Sequence, residues 1–245
     1  YDGKQILRDI CFEIKNIVRP GLQQGQVVSL VGRSGIGKTQ LFKLLAGLQQ
    51  PTSGEIVIHG DKKVKAGDMG IIFQNYYLFE WRTVYASLML AARKNPTLAG
   101  KEKEAIMHFA ENFHLSTHLH KYPQQLSGGQ RQRVSIIQQL LKGSDFLLLD
   151  EPFSGLDVLM LDKVVELLLK VSLSDDLKTL IIVSHDITTS VAISDTVFIL
   201  GEQEGQAGAT IVKEIDLIDR GLAWDIDIAE RSEFAETIDE IKSCL

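Results

Sequence analysis

Near the start of the chain, Gly32-Arg33-Ser34-Gly35-Ile36-Gly37-Lys38-Thr39 fits the pattern G-x-x-x-x-G-K-[ST]. Such a loop can bind phosphate. Its glycines let consecutive backbone N–H groups point at one set of phosphate oxygens, and the helix that follows adds its dipole. Lys38 can reach β- and γ-phosphates, and the Thr39 hydroxyl is suited to Mg²⁺. Further on, Phe146-Leu147-Leu148-Leu149-Asp150-Glu151-Pro152 is an apolar run ending in two carboxylates. Asp150 is suited to hold Mg²⁺, directly or through water, and Glu151 to orient or deprotonate an attacking water. Alone, the loop reads as a glycine-rich turn and the acids as solvated strand-end residues. Together they are what transfer of a phosphoryl group to water requires.

Regular elements must carry these groups. Gln26 to Val31 reads as a buried strand that enters the loop, and Gln40 to Leu48 as the apolar helix that leaves it. Pro51, Ser53 and Gly54 make a turn before an alternating strand from Glu55 to His59, and Gly70 to Phe73 is a further short strand. From Asn75 to Leu141 the spacing becomes helical, over Thr83 to Arg93 and Lys101 to Phe113, with Asn95 and Pro96 between them. Strands return at Phe146 to Leu149, Leu180 to Ser184 and Thr196 to Leu200, with a Leu/Val-rich helix from Val158 to Val171. This alternation predicts an α/β fold, a mostly parallel sheet covered on both faces and interrupted by a helical lobe. It also puts the acid pair at the C-terminal end of a strand, where ligands bind in open α/β sheets.

Composition narrows the class. The 245 residues carry a formal net charge of −6, which argues against a nucleic-acid partner held by a basic surface. Cys11 and Cys244 sit near opposite ends, so reduced thiols are expected rather than a disulfide framework. No apolar run reaches the roughly 18–20 residues that span a bilayer, so a membrane role requires a partner chain. No signal-peptide pattern is visible. The sequence opens on Tyr1 rather than Met, and a preceding segment is expected.

Leu126-Ser127-Gly128-Gly129-Gln130 reads LSGGQ and is followed by Arg131-Gln132-Arg133-Val134. Gln74 closes the run Ile71-Ile72-Phe73-Gln74, Ser154-Gly155-Leu156-Asp157 follows the acid pair, and His185 stands in Val183-Ser184-His185-Asp186. In this order and spacing the motifs resemble those of the ABC-type ATPases, over most of the chain. The resemblance implies a P-loop NTPase (RecA-like) core with an antiparallel β-subdomain and an inserted helical subdomain. The core with its β-subdomain would comprise 1–74 and 142–208, the helical signature subdomain 75–141, and a C-terminal strand and helix 209–245. It implies ATP and Mg²⁺ as ligands. Gln74 would sense Mg²⁺ and the lytic water, and His185 would contact the γ-phosphate. Ser127, Gly128, Gly129 and Gln130 would bind the γ-phosphate of an ATP held by a second copy, in a head-to-tail dimer contacted also by 154–157. Tyr1 lies where the family stacks an aromatic on adenine; a frayed end is the other reading. The segment Asn16 to Gln24 lengthens the hairpin before the loop. Gln40 replaces a hydroxyl residue usual after the motif, which alters a side-chain contact near the α-phosphate and leaves backbone donation intact.

The resemblance further implies a subunit that powers solute transport through separate transmembrane permease subunits, peripheral on the cytoplasmic face of the membrane. Leu78-Phe79-Glu80-Trp81-Arg82-Thr83-Val84 is similar to a stretch of the nitrate, sulfonate and taurine importers, with Glu80 in place of proline. Ile211 to Asp216 and Glu233-Phe234-Ala235 resemble the same group. Import of a small, anionic solute with a solute-binding partner is the implied function. An exporter cassette and a soluble regulatory ATPase are the alternatives. Gln138 in place of Arg, and Thr189-Ser190 in place of Glu-Ala, depart from the pattern. His114, His118 and His120 cluster before the signature. The first two could form a metal pair on one helix face, but a surface or helix-end role is the reading preferred. The C-terminal helix from Arg231 carries Phe234, Ile238 and Ile241 at helical spacing and is expected to dock on its own domain.

Overall fold

The structure is a computed structural model and describes residues 5–15, 17, 25–152, 179–223, 225 and 227–245. Tyr1, the segment 154–157, the helix expected over 158–171 and most of 16–24 lie outside the described residues.

Strands β1 (Gln26–Gly32), β4 (Gly70–Ile72), β5 (Phe146–Asp150), β6 (Thr179–Ser184), β7 (Thr196–Glu202) and β8 (Ala209–Asp216) form one sheet in the order β4-β5-β6-β1-β7-β8. All neighbours are parallel except the last pair, β7 and β8. The near-continuous apolar sequences of β1, β5 and β6 follow from this, because a parallel strand in mid-sheet is covered on both faces. Alternate residues go to opposite sides. Leu147, Leu149, Leu180 and Ile182 join one core with α2 (Val84–Ala92), α3 (Glu102–Asn112) and α4 (Gly128–Lys142). Leu148, Ile181, Val183 and Leu30 join a second with Leu41, Phe42 and Leu45 of α1 (Lys38–Leu45). This second core also holds Ile58 of β2 (Val57–Ile58) and Val64, which follows its hairpin partner β3 (Lys62–Lys63).

Several element bounds differ from expectation, for local reasons. Helix α1 starts two residues early, at Lys38, because Gly37 (φ 115°) supplies its N-cap. It stops at Leu45 rather than Leu48, and Gly47 then takes a left-handed φ of 67°. A Cβ on Gly47 would lie 2.5 Å from the Lys65 carbonyl carbon, so only glycine fits. The strand expected over Glu55 to His59 shrinks to Val57–Ile58, because His59 (φ 52°) and Gly60 (φ 89°) turn the chain. Helix α2 starts where Thr83 accepts a bond from the Ala86 N–H at 3.2 Å. Helix α3 ends at Asn112 and His114 has a φ of 54°, so His114 and His118 do not share a helix face.

Both cysteines are free thiols. Among the described residues no helix is long and apolar enough to cross a membrane. The C-terminal helix α6 (Ser232–Ser243) docks on the chain itself. Phe234, Ile238 and Ile241 pack with Val31, Val197 and Ile199 of the sheet and with Val191 of α5 (Ile187–Ile193). Glu240 completes the attachment. It accepts bonds from Arg220 at 2.7 and 3.2 Å and from Lys213 at 2.6 Å. These partners hold its carboxyl at about 2, well below the usual range. Ile241 is fully buried, so Ile241→Ala is expected to cost about 2–5 kcal/mol of stability, read as a lower urea midpoint with unchanged slope.

Candidate functional site

The phosphate loop leaves β1 at Gly32 and enters α1 at Lys38. A Cβ on Gly37 would come within 3.0 Å of both Ile6 and Leu7, so the loop closes tightly on the N-terminal segment. Arg33, Ser34, Gly35 and Thr39 are exposed, while Ile36, Gly37 and Gln40 are half-buried. The first helical bonds are those of the Gln40 and Leu41 N–H groups to the Gly37 carbonyl, at 2.9 and 3.0 Å. The N–H groups of Lys38 and Thr39 lie ahead of that ladder, at the positive end of the helix dipole. Lys38 is buried, and its ammonium donates to the carbonyls of Gly32 (2.8 Å) and Arg33 (3.1 Å). Burial lowers its pKa, against the raising effect of Glu151 and Asp150.

The acids reach this loop through the sheet. Asp150 pairs with Val183 in register, and Val31 with Ser184, so β5, β6 and β1 end side by side. Glu151 continues the pairing with an N–H bond to the Val183 carbonyl at 2.8 Å, yet adopts a φ of 46°. This left-handed conformation costs a non-glycine residue about 1–3 kcal/mol, and it turns the carboxylate toward the neighbouring strand ends. Oε2 accepts from the Ser184 hydroxyl at 3.1 Å and the His185 N–H at 3.3 Å. It also lies 2.8 Å from His185 Nδ1, while Oε1 lies 3.9 Å from Lys38 Nζ. Gln74 is exposed two residues beyond the Ile72–Leu149 pair, at the same edge. Lys38, Asp150, Glu151, His185 and Gln74 therefore share one end of the sheet.

Asp150 is half-buried, and desolvation followed by the charge of Glu151 raises its pKa above the ordinary carboxylate value. A carboxylate so placed is relieved by a cation. The exposed Thr39 hydroxyl and the Asp150 carboxylate are both hard oxygen donors, and Mg²⁺ held partly by substrate phosphates needs only one or two carboxylates. The residues fit that ion.

The LSGGQ segment is a different kind of site. Ser127 is the N-cap of α4, and its hydroxyl accepts from the Gln130 N–H at 3.3 Å. Gln130 Oε1 in turn accepts from the Ser127 N–H at 2.9 Å. Gly128 is exposed and a Cβ there would meet nothing within 4 Å; Gly129 is half-buried in the same first turn. Ser184 and Gln132 had no assigned role, and His118 was read as a surface or helix-end residue. Ser184 braces Glu151. Gln132 is fully buried and its amide donates to the Pro152 carbonyl at 2.6 Å, which ties α4 to the residue after the acid pair. The signal for Gln132 was present, a polar residue in register with Ile136 on the buried face of α4. His118 meets Gln130.

A phosphate loop closing a parallel strand, with two acids at the same end of the next strand but one, defines a P-loop nucleotide hydrolase. The ABC transporter family model matches residues 16–154. An ABC transporter ATP-binding protein of Bacillus subtilis, itself uncharacterized, is 35% identical over 212 residues, covering 85% of this chain and 78% of the relative. The aliphatic sulfonates import ATP-binding protein of Xanthomonas axonopodis pv. citri is 36% identical over 208 residues, 84% of this chain and 79% of the relative. The nitrate import ATP-binding protein of Synechococcus elongatus is 34% identical over 186 residues, 75% and 68% of the two chains. Against the bicarbonate transport ATP-binding protein of that organism, 37% identical over 201 residues, the match covers 80% of this chain but 30% of the longer relative. A dimeric ATP-binding cassette in a post-hydrolysis state with ADP and Pi superposes with a TM-score of 0.70, at 25% identity over 86% of this chain and 90% of that one. The chain belongs to the ABC transporter family; it is an ATP-binding subunit and an ATPase.

Desolvation and Glu151 both act against the Asp150 charge. Asp150→Asn is therefore expected to stabilise the nucleotide-free protein at pH 7, by less than about 1 kcal/mol for a half-exposed group. Because the folded-state pKa is raised, the wild type sheds this penalty as pH falls through that value. The difference in melting temperature between variant and wild type should then shrink toward the carboxylate range.

Proposed function

We propose that the subunit hydrolyses Mg²⁺-ATP in a head-to-tail dimer and that closure of this dimer drives transport through separate permease subunits. The observation that carries this reading is the convergence of Lys38, Asp150, Glu151 and His185 at one sheet edge, with a second capped helix N-terminus at Ser127 on a different element. Gly32 to Gln40 would cradle the phosphates, with Lys38 turning from its own loop carbonyls to the β- and γ-phosphates. Thr39 and Asp150 would hold Mg²⁺, with Gln74 at its edge, and the ion would neutralise developing charge. Glu151 would position and deprotonate water, and His185 would contact the γ-phosphate once Glu151 releases it. Tyr1 is proposed to stack on adenine.

Ser127, Gly128, Gly129 and Gln130 are proposed to close over the partner's nucleotide. A hydroxyl, backbone N–H groups and a helix N-terminus suit an anion. ATP then bridges two subunits, and its differential affinity for the closed state can perform work. The division into a core (1–74 and 142–208), a signature lobe (75–141) and a tail (209–245) accompanies this reading. Relatives named for import of nitrate and of aliphatic sulfonates favour import of a small anionic solute. The subunit would then sit on the cytoplasmic membrane face, with a solute-binding protein on the other side.

Glu151→Gln should retain ATP binding, lower turnover by about 10²–10⁴-fold and accumulate an ATP-bound dimer in size-exclusion chromatography. Turnover near the wild-type rate would remove Glu151 from the role of base. Ser127→Arg should bind nucleotide normally as an isolated subunit and lose hydrolysis. Loss of binding by that subunit would count against the two-subunit site.

A further inference from the structure

The Gln130 side chain is fully committed by its neighbours. Its Oε1 faces the Ser127 N–H at 2.9 Å, a donor that only the carbonyl oxygen can accept. The amide orientation is therefore fixed, and Nε2 must be a donor. Its partner is Nε2 of His118 at 3.1 Å. That ring nitrogen must present a lone pair, so the imidazole is uncharged and carries its proton on Nδ1. Nδ1 lies 3.0 Å from the Thr117 hydroxyl oxygen and can donate to it. One chain of bonds thus runs from Thr117 through His118 and Gln130 to Ser127, whose hydroxyl accepts the Gln130 backbone N–H at 3.3 Å.

We propose that His118 is a positioning residue for the signature, and that its uncharged imidazole locks the Gln130 amide and through it the Ser127 cap. An imidazolium would set an N–H against an NH₂ group and break the chain at its centre. Among the described residues, the charged groups acting on the ring are Lys121 on its own segment and Arg133 on α4, both cations. With desolvation as the larger cause, they lower the His118 pKa, which keeps the lone pair available at neutral pH. Arg133 braces the same turn from the other side. It donates to the Gly129 carbonyl at 3.2 Å and the Phe113 carbonyl at 2.9 Å. The role of His118 rests on the proposal that Ser127 meets the partner's nucleotide. It adds that the closing surface is assembled only while this histidine is neutral.

The test compares wild type, His118→Ala and His118→Gln of the full chain, with kcat and KM for ATP measured from about pH 5.5 to 8.5. His118→Gln keeps an acceptor near the ring Nε2 position and cannot titrate. His118→Ala should lower kcat by about tenfold, the scale of one lost hydrogen bond, with KM within about twofold. His118→Gln should recover most of the rate at pH 8. Its rate relative to wild type should climb by about threefold or more as pH falls, since every other group is common to both proteins and cancels in the ratio. Nitrogen NMR of the wild type should find the Nδ1–H tautomer. A wild-type kcat in His118→Ala, a rate ratio flat with pH or an Nε2–H tautomer would each overturn the proposal. Ser127→Arg separates it from the reading beneath. If that variant is inactive while His118→Ala is not, His118 alone is wrongly assigned; if Ser127→Arg hydrolyses normally, the two-subunit site falls and His118's role with it.

Discussion

The parallel register of β5, β6 and β1 is the constraint on which the site depends. Pairing of Asp150 with Val183 and of Val31 with Ser184 makes three strands end together. The residues after each end are then the acid pair, the His185 turn and the phosphate loop. A slip of one residue would exchange the two faces of each strand. Leu148, Ile181 and Val183 would leave one core for the other, and the close packing of both cores would be lost. The hydrophobic pattern that holds the sheet in register therefore also sets the distance between Lys38 and Glu151. The geometry of the candidate site and the core packing are fixed by one set of backbone bonds.

At that end of the sheet the charges are not arranged for stability. Lys38 is buried and shares its ammonium between two carbonyls of its own loop. Asp150 and Glu151 are adjacent like charges, and Glu151 holds a left-handed backbone conformation. Each feature costs the folded chain something that a polyphosphate and a cation would repay. Glu151 is meanwhile held by Ser184 and His185. The acid and the histidine proposed to act on the nucleotide satisfy each other, which avoids an unpaired, partly buried carboxylate.

Helix α4 connects this edge to the signature. Its N-terminus carries the Ser127 and Gln130 capping box, and one turn further Gln132 bonds the Pro152 carbonyl. A packed helix is stiff on the scale of one turn, so displacement of its first turn bears on the residue next to Glu151. The lateral edge of the sheet opposite β4 is formed by the antiparallel β8, and α6 packs on the face beside it.

Much of this was legible in the amino-acid order. The strand-loop-helix around Lys38, the strand ending in Asp150 and Glu151, and the docking face of α6 depend on local patterning, and they stand where the spacing placed them. Element ends were less legible, because they turn on single backbone conformations such as Gly37, Gly47, His59 and His114. The roles of Ser184, Gln132 and His118 required the tertiary structure, since each is defined by a partner distant in sequence or on another element. The sequence by itself determined the chemistry available, because residue types and short spacings encode donors, acceptors and a phosphate cradle. Only the tertiary structure decided which of those groups bond each other. That choice follows from strand register and helix packing, which sum many weak apolar contacts along the chain and are not written at any one position.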